Sequence, residues 1–430
     1  MKKMVCFLAA IVCVCLPPAI LAGEANYRDY IVGDRAAGMG GAATALATAV
    51  ESCYYNPAGL ALTENNTISL SASVYGLSNY RVRDGWAPGR DIDIDSFLVI
   101  PTAFGSVWKV SEDWGLAFSA FVPHMERIND LDVYTERFGP ARREEFNNIN
   151  KDDQTIRLGP SVAYRVSGEV SFGLSIFGVY RTFSSFEQMV WNLEAPDADL
   201  FYFAGLSNQI KYNDFSLLPV LGAHYRPGSN WSFGLSAQPP SFNLGGSGEL
   251  FYTYQETEGV RFAMYVKDAR TRNTIPARVA GGVAWSEPGR YALAFDLIYN
   301  FYASGNRLKG KTQDGDTAIY PFKNRPVVDF SLGGEYYLAE NYPLRAGFFT
   351  SLSSAPTPTG IETASYPAKI DKYGLTASIG RETANTSFNL GLNYSWGTGH
   401  HLGFREGEGI VRVSARESFV YVFAGSSYFF

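Results

Sequence analysis

Residues 291–302 read Tyr-Ala-Leu-Ala-Phe-Asp-Leu-Ile-Tyr-Asn-Phe-Tyr. Split at every second position, one face is Tyr291, Leu293, Phe295, Leu297, Tyr299 and Phe301, and the other is Ala292, Ala294, Asp296, Ile298, Asn300 and Tyr302. A strand turns successive side chains to opposite sides, so this stretch predicts a strand with one greasy face and one small or polar face. The same period recurs where Ile156, Leu158, Val162, Tyr164 and Val166 alternate with Arg157, Gly159, Ser161, Ala163 and Arg165. It recurs again where Phe388, Leu390, Leu392, Tyr394 and Trp396 alternate with Asn389, Gly391, Asn393 and Ser395. A soluble sandwich points its aromatics into a core and its charges outward, and it rarely runs such long strands one after another. Aromatic faces that carry no charge, backed by polar faces, fit a barrel with lipid outside and a polar lumen inside.

Outward from that stretch, alternating runs fall at about 67–77, 96–110, 113–123, 154–167, 170–186, 213–227, 230–247, 270–286, 289–303, 326–339, 342–354, 371–382, 386–398 and 417–430. That gives fourteen strands, an even number with both termini on one side, as a bacterial outer-membrane barrel requires. Six tight connections, at 111–112, 167–169, 227–229, 287–288, 340–341 and 382–385, interleave with seven longer ones. Short periplasmic turns and long outer loops follow the same rule. The fold expected is therefore an all-β, transmembrane antiparallel barrel spanning residues 67–430, located in the bacterial outer membrane. The last strand ends on Phe430, with Tyr428 on the same face. Such an aromatic end looks like the signal read by the outer-membrane assembly machinery, an expected partner along with the surrounding lipid and lipopolysaccharide.

Composition agrees. The chain has 430 residues, 46% hydrophobic and 18% charged, with 7 Trp, 27 Tyr and 30 Phe. It is too aromatic for disorder and too long to need metal or disulfide staples. Past residue 23 no apolar run reaches the length of a helical span. The N-terminus, with Lys2 and Lys3 before an apolar run from Val5 to Leu16 and then Ala19, Ala22 and Ala25, reads as a signal peptide over residues 1–22, cleaved after Ala22 or Ala25. Its loss takes Cys6, Cys13 and Cys15, leaving Cys53 without a disulfide partner, and leaves 34 basic residues against 42 acidic ones. That balance gives no hint of nucleic acid; the expected form is a monomer.

Residues 23–66 follow neither pattern. They contain Gly38, Gly40 and Gly41, a run of mostly Ala and Thr from Ala42 to Val50, and then Asn56-Pro57-Ala58. A helix of such small residues is narrow, and Pro57 must end or kink it. A slim segment of this kind fits inside a lumen, so it reads as a helical plug, or hatch. Gly38-x-Gly40 lacks the strand and βαβ setting of a dinucleotide site. At this point the stretch Arg35 to Leu60, with Asn56-Pro57-Ala58 after a Gly/Ala-rich segment, resembles the hatch of the FadL family of outer-membrane transporters for long-chain fatty acids and hydrocarbons. The run Pro343-Leu344-Arg345-Ala346-Gly347, followed by Pro356, Pro367 and Asp371, is similar to that family's later strands. The resemblance implies passive uptake of a hydrophobic small-molecule ligand by hatch-gated diffusion, with lateral exit at an inward kink in the third strand. That kink would fall near Trp114 to Pro123, where Gly115 and Pro123 are the residues able to disturb a ladder. Some relatives serve instead as attachment or shuttle proteins in secretion, which stands as the alternative.

Candidate ligand residues follow from exposed apolar side chains. The segment 187–212 carries Trp191, Leu200, Phe201, Phe203 and Leu206, and the next outer segment Phe251 and Phe262. In the family two such loops form an outer groove, although packing of the loops on one another accounts for the same residues. Arg157, Arg165 and Arg345 fall on lumen faces, where they either meet a ligand carboxylate or pair with barrel carboxylates. About 14 buried methylenes at roughly 0.8 kcal/mol each give about 11 kcal/mol gross, so a staged path releases such a ligand where one deep site would hold it. No Gly-x-Ser-x-Gly elbow occurs, and His124, His224 and the pair His400-His401, expected in an outer loop, are scattered. No catalytic residues, cofactor or metal are therefore expected. Asp91, Asp93, Asp95 and Glu144-Glu145 lack an EF-hand's spacing and read as a solvated rim.

Overall fold

The computed structural model describes residues 25–430 apart from 101–102, 229, 258, 260, 361–365 and 406–408. The expected signal peptide lies outside the described residues. The wall is one closed antiparallel barrel of fourteen strands: β1 (Thr67–Ala87), β2 (Arg90–Ile100 and Ala103–Lys109), β3 (Trp114–Phe138), β4 (Ala141–Arg165), β5 (Val170–Ala195), β6 (Leu200–Tyr225), β7 (Trp231–Gln238, Phe242–Gly245 and Ser247–Glu256), β8 (Arg261–Thr271 and Arg278–Glu287), β9 (Tyr291–Asn300 and Ala303–Lys311), β10 (Thr317–Asn324 and Val327–Tyr337), β11 (Pro343–Ser351), β12 (Lys369–Glu382), β13 (Thr386–Arg405) and β14 (Gly409–Phe429). Each pairs with its neighbours, and β1 closes on β14 from Thr67↔Phe429 to Val82↔Ala415. Closure removes the sheet's free edges except along an unpaired stretch between β2 and β3, because each unpaired backbone group in lipid costs several kcal/mol.

The strand read from sequence behaves as its alternation demands. On β9, Leu293, Phe295 and Leu297 are 52%, 41% and 50% exposed, whereas Ala294, Asp296 and Asn300 are 2%, 0% and 3% exposed. The greasy face meets lipid and the small or polar face meets the lumen.

Seven long outer loops are not what forms. Beyond the membrane the strands simply continue, to 25 residues in β3 and β4 and 26 in β5 and β6. The outer connections shrink to short turns such as 88–89 and 139–140, while 352–368 is a long connection between β11 and β12. Clean apolar alternation stops where lipid stops, but the hydrogen-bond ladder needs no lipid to go on. His400 and His401 thereby lie on β13, not in a loop, in register with Ser414 and Val413.

Residues 25–66 fill the lumen. Helix α1 (Asp34–Gly38), helix α2 (Ala49–Tyr55) and a 3-10 turn (Pro57–Leu62) are joined by turns, so the Ala/Thr run is helical only at its end. Gly40 and Gly41 take φ of 64° and 77°, which breaks the helix; Gly41 N–H turns back to the Ala36 carbonyl, while the N–H groups of Gly40, Ala43 and Thr44 bond to the wall.

Candidate functional site

Three sets of contacts fix the plug. At the bottom, beside the periplasmic turns 338–342 and 383–385, Arg35 of α1 forks onto Glu335, with Nη2–Oε1 at 2.8 Å and Nε–Oε2 at 3.1 Å. Arg345 joins Glu335 and Glu382, each at 2.6 Å, and reaches Asn389, which in turn donates to Asp34. Arg345 and Glu335 are both buried, and breaking such a pair by removing one partner costs about 3–5 kcal/mol, so this cluster is a shut floor. Next to it Glu51 of α2 accepts the Ala36 N–H at 3.2 Å, and burial together with nearby Asp34 pushes its carboxyl up to about 7.

In the middle, Asp296 Oδ2 accepts three hydrogen bonds from the plug, from Ala43 N and Thr44 N at 2.8 Å and Thr44 Oγ1 at 2.7 Å. Asn56 caps the 3-10 turn by accepting from Ala58 N, while its Nδ2 donates to Thr44 O at 2.8 Å and to Ala223 O of β6 at 3.0 Å. Pro57 occupies the turn's first position, where its missing N–H costs nothing. The Ala58 carbonyl accepts from Ser171 at 3.1 Å. The motif sits flush on the wall because Gly173 and Gly222 face it: a methyl on Gly222 would run into Asn56 Oδ1, and one on Gly173 into the Pro57 carbonyl carbon. Gly115 serves the same end. Its ladder to Lys109 and Ala163 is regular, and a methyl there would press on the Leu60 carbonyl.

At the top the plug meets a seam in the wall. β2 pairs with β3 only from Lys109↔Gly115 to Ala103↔Phe121, and among the described residues no ladder pair joins 90–100 to 122–138. The β3–β4 ladder bulges at the same level, with Phe121↔Arg157 followed by His124↔Thr155. Two residues, Val122 and Pro123, oppose one, and proline has no N–H to give. The seam is closed above by Arg90, which pairs with Asp132 at 3.0 Å and with Glu145 and lies 3.7 Å from the Tyr134 ring centroid. Where β3 lacks a partner on the β2 side, the plug supplies contacts: Tyr30 donates its hydroxyl to the Met125 carbonyl at 2.8 Å, and Asp29 lies 2.7 Å from His124 Nδ1. His124 also lies 3.2 Å from Asp153, which Arg181 holds by two bonds at 2.9 and 2.7 Å. His124, Glu126 and Asp153 come within metal-ligand distance of one another, but Asp29, Lys151 and Arg181 already satisfy them.

Two cavities lie against the plug. The first, at the seam, is lined by Ile94 and Leu98 of β2, Met125 and Ile128 of β3, Tyr30, and the charged Lys372 and Glu417. The second is lined by Tyr30, Tyr54, Tyr55, Thr44, Arg278 and Asn300. The Tyr54 ring has Arg157 at 5.4 Å and Arg278 at 5.7 Å from its centroid. Neither guanidinium has a carboxylate partner among the described residues, and the buried Nδ2 of Asn300, opposite Arg278 in the ladder, has no acceptor.

Of the three arginines read from sequence, Arg345 is committed to the floor and Arg165 donates to the Ala61 carbonyl. Arg157 is left free, and Arg278, absent from the sequence reading, joins it. Arg278 lies just past an irregular stretch at 272–277, where the alternation is interrupted and gives no face.

The apolar groove residues lie on paired strands, which divides them between two faces. Trp191 is directly opposite Ala204, and Tyr254 opposite Phe262. Trp191, Leu206 and Tyr252 gather on the lumen side, with Phe262 against the Tyr252 ring at 5.8 Å. Leu200, at the hairpin end, is exposed. Phe201, Phe203 and Phe251 occupy the alternate positions and point the other way.

Known proteins share this architecture. A family described as outer membrane protein transport protein (OMPP1/FadL/TodX) matches residues 21–403. Long-chain fatty acid transport proteins of Salmonella typhi and Escherichia coli O6:H1 are each 25% identical to the chain, the first over 66% of it and 71% of the relative, the second over 61% and 63%. Among solved structures, the P. putida toluene transporter TodX superposes with a TM-score of 0.68 at 14% identity, covering 94% of this chain and 99% of that one. A Pseudomonas aeruginosa FadL homologue gives 0.67 at 15% over 94% and 99%, and the CymD monoaromatic hydrocarbon channel 0.62 at 16% over 93% and 97%.

Proposed function

We propose, on the premise that this chain belongs to the OMPP1/FadL/TodX family of outer membrane transport proteins, that it admits hydrophobic small molecules from outside and releases them sideways into the membrane through the seam between β2 and β3. The observation that carries this reading is the double duty of Asp29 and Tyr30. They belong to the plug that closes the lumen, and they hold the one stretch of β3 that has no partner on the β2 side. Displacing the plug at this level therefore frees the seam in the same event. The floor built by Arg35, Glu335, Arg345 and Glu382 stays shut on the periplasmic side, which favours a lateral path over a through-pore.

The second cavity, about 20 Å³, has room for a head group only, and the cargo it suits best is a long-chain amphiphile that presents a carboxylate to it. Arg278 lines it with the idle donor of Asn300 and the rings of Tyr54 and Tyr55, and Arg157, which meets the same Tyr54 ring from beyond the lining, adds a second cation without a carboxylate partner among the described residues. A carboxylate there gains charge-assisted hydrogen bonds, while a neutral hydrocarbon leaves those donors unmet. The curated relatives named for long-chain fatty acids point the same way. The lumen-side cluster of Trp191, Leu206, Tyr252 and Phe262 is the first contact for the chain of such a ligand. Movement follows the concentration gradient.

The test is uptake of labelled oleate and labelled toluene by cells lacking their own transporter, expressing this protein or a form altered at residues 54–60. Oleate uptake that depends on those residues supports the reading. Entry of toluene alone overturns the carboxylate assignment, and entry of neither by a folded barrel overturns transport of these substrates.

A further inference from the structure

On the outer flank of the barrel, away from the plug, the upper halves of β8, β9 and β10 carry cations without an ion-pair partner among the described residues. Lys267, Arg270 and Arg272 of β8 and its edge, Lys309 of β9 and Lys323 of β10 are all exposed, and none forms an ion pair with a described residue. Their orientation follows from their neighbours. Val266, Ala269, Leu308 and Tyr320 form a buried cluster on the inner face, so the alternate positions Arg270, Lys309 and Lys323 point outward. Of the acids on the neighbouring strands, Glu249 faces Lys211 in the ladder and Asp268 lies in a bulge. Arg270 and Lys309 stand directly opposite each other in register. Like charges at such a position repel and destabilise a sheet unless an anion lies between them.

Height identifies the anion. The outward apolar row of β9 ends in Tyr299 and Phe301, the position of an aromatic girdle at the lipid boundary. Ser304, the ladder partner of Lys323, comes three residues after Phe301, and Lys309 comes eight after. At about 3.3 Å per residue and a tilt near 40°, Lys323 stands roughly 8 Å and the Arg270–Lys309 pair roughly 20 Å above the girdle. That is above the acyl chains and their first headgroups, among the sugars that cover the outer leaflet. We infer that this flank binds the phosphorylated core saccharide of lipopolysaccharide, with a phosphate seated between Arg270 and Lys309.

The experiment uses the whole protein in detergent and measures its retention of three lipopolysaccharides: one with a phosphorylated core, the same one with its core phosphates removed enzymatically, and one truncated to lipid A and its first sugars. The variant is Arg270→Gln with Lys309→Gln. The control is Arg381→Gln, an exposed cation at the periplasmic end of β12. Folding of each is checked by its heat-dependent gel shift. The inference expects the phosphorylated core to bind about tenfold more tightly than the dephosphorylated one. The preference shrinks with added salt, disappears in the double variant and survives in the control. Equal binding of all three lipids, or an unchanged preference in a folded double variant, overturns it. Preference for the truncated form moves the contact down to the lipid A phosphates and overturns the core assignment. The outcome is independent of oleate uptake, which the flank does not touch.

Discussion

Replacing Asp296 tests how the plug is held. Its side chain is fully buried, and among the described residues Oδ2 is the only acceptor for Ala43 N–H, Thr44 N–H and the Thr44 hydroxyl. In Asp296→Ala those three donors lose their partner inside the lumen. Each buried, unmet donor costs about 1–3 kcal/mol. With some water reaching the vacated space, the lower end applies, for a total of about 3–4 kcal/mol, or about two to three orders of magnitude in the equilibrium between docked and released plug. Asp296→Asn keeps one carbonyl oxygen and loses the charge, so about 1–2 kcal/mol, roughly tenfold, is expected. The barrel itself is spared, because the backbone of residue 296 stays laddered to Gly282 and Ser331. Amide hydrogen exchange of peptides covering 39–48, with wall peptides as the internal reference, reads the effect directly. Wild-type protection of 39–48 in the Asp296→Ala protein would falsify the anchor, and an Asn variant as exposed as the Ala variant would show that the charge is irrelevant.

Other perturbations have defined outcomes. Glu51 has its pKa raised to about 7 by burial and by Asp34, against the partial opposing pull of Arg35 and Arg345; the docked plug therefore binds this proton more tightly than a released one, whose carboxyl titrates near 4.3. The Glu51 contribution to docking is accordingly full below about pH 4.5, fades as pH rises to about 7 and is absent above, and Glu51→Gln removes that part, shrinking the difference in protease susceptibility of the plug between pH 5 and pH 8. Arg157→Gln with Arg278→Gln is expected to cut oleate uptake about tenfold or more while leaving toluene untouched; an equal loss of both compounds refutes carboxylate recognition. Tyr30→Phe frees the Met125 carbonyl at a cost of about 1 kcal/mol, and several-fold faster ligand release from reconstituted protein is the expected readout. Asn56→Ala removes a cap and two further bonds, so exposure of residues 56–62 to protease is expected to rise about five- to thirtyfold for a loss of about 1–2 kcal/mol.

Much of this molecule is legible in residue order because a barrel strand is a local pattern. The alternation in 291–302 assigns each side chain to lipid or lumen without knowledge of any neighbour, and repeated along the chain it yields the fourteen strands, the antiparallel order, the outer-membrane location and the plug as the one segment that breaks the rule. The same locality explains where it stops. Beyond the lipid boundary no solvent difference marks the two faces, so the long hairpins of β3 to β6 read as loops, and Trp191 and Phe251 read as one groove although the pleat sends them to opposite sides. Arg157, Arg165 and Arg345 have identical sequence signatures, and only the partners brought by distant strands separate a free guanidinium from one tied to Glu335 and Glu382 or to the plug. The seam depends on which strands fail to pair, Asp296 on three donors 252 and 253 residues away, and Arg278 on meeting Tyr54 across the lumen. Those are properties of register and closure, set by non-local hydrogen bonding, and they exist only once the barrel has closed around its plug.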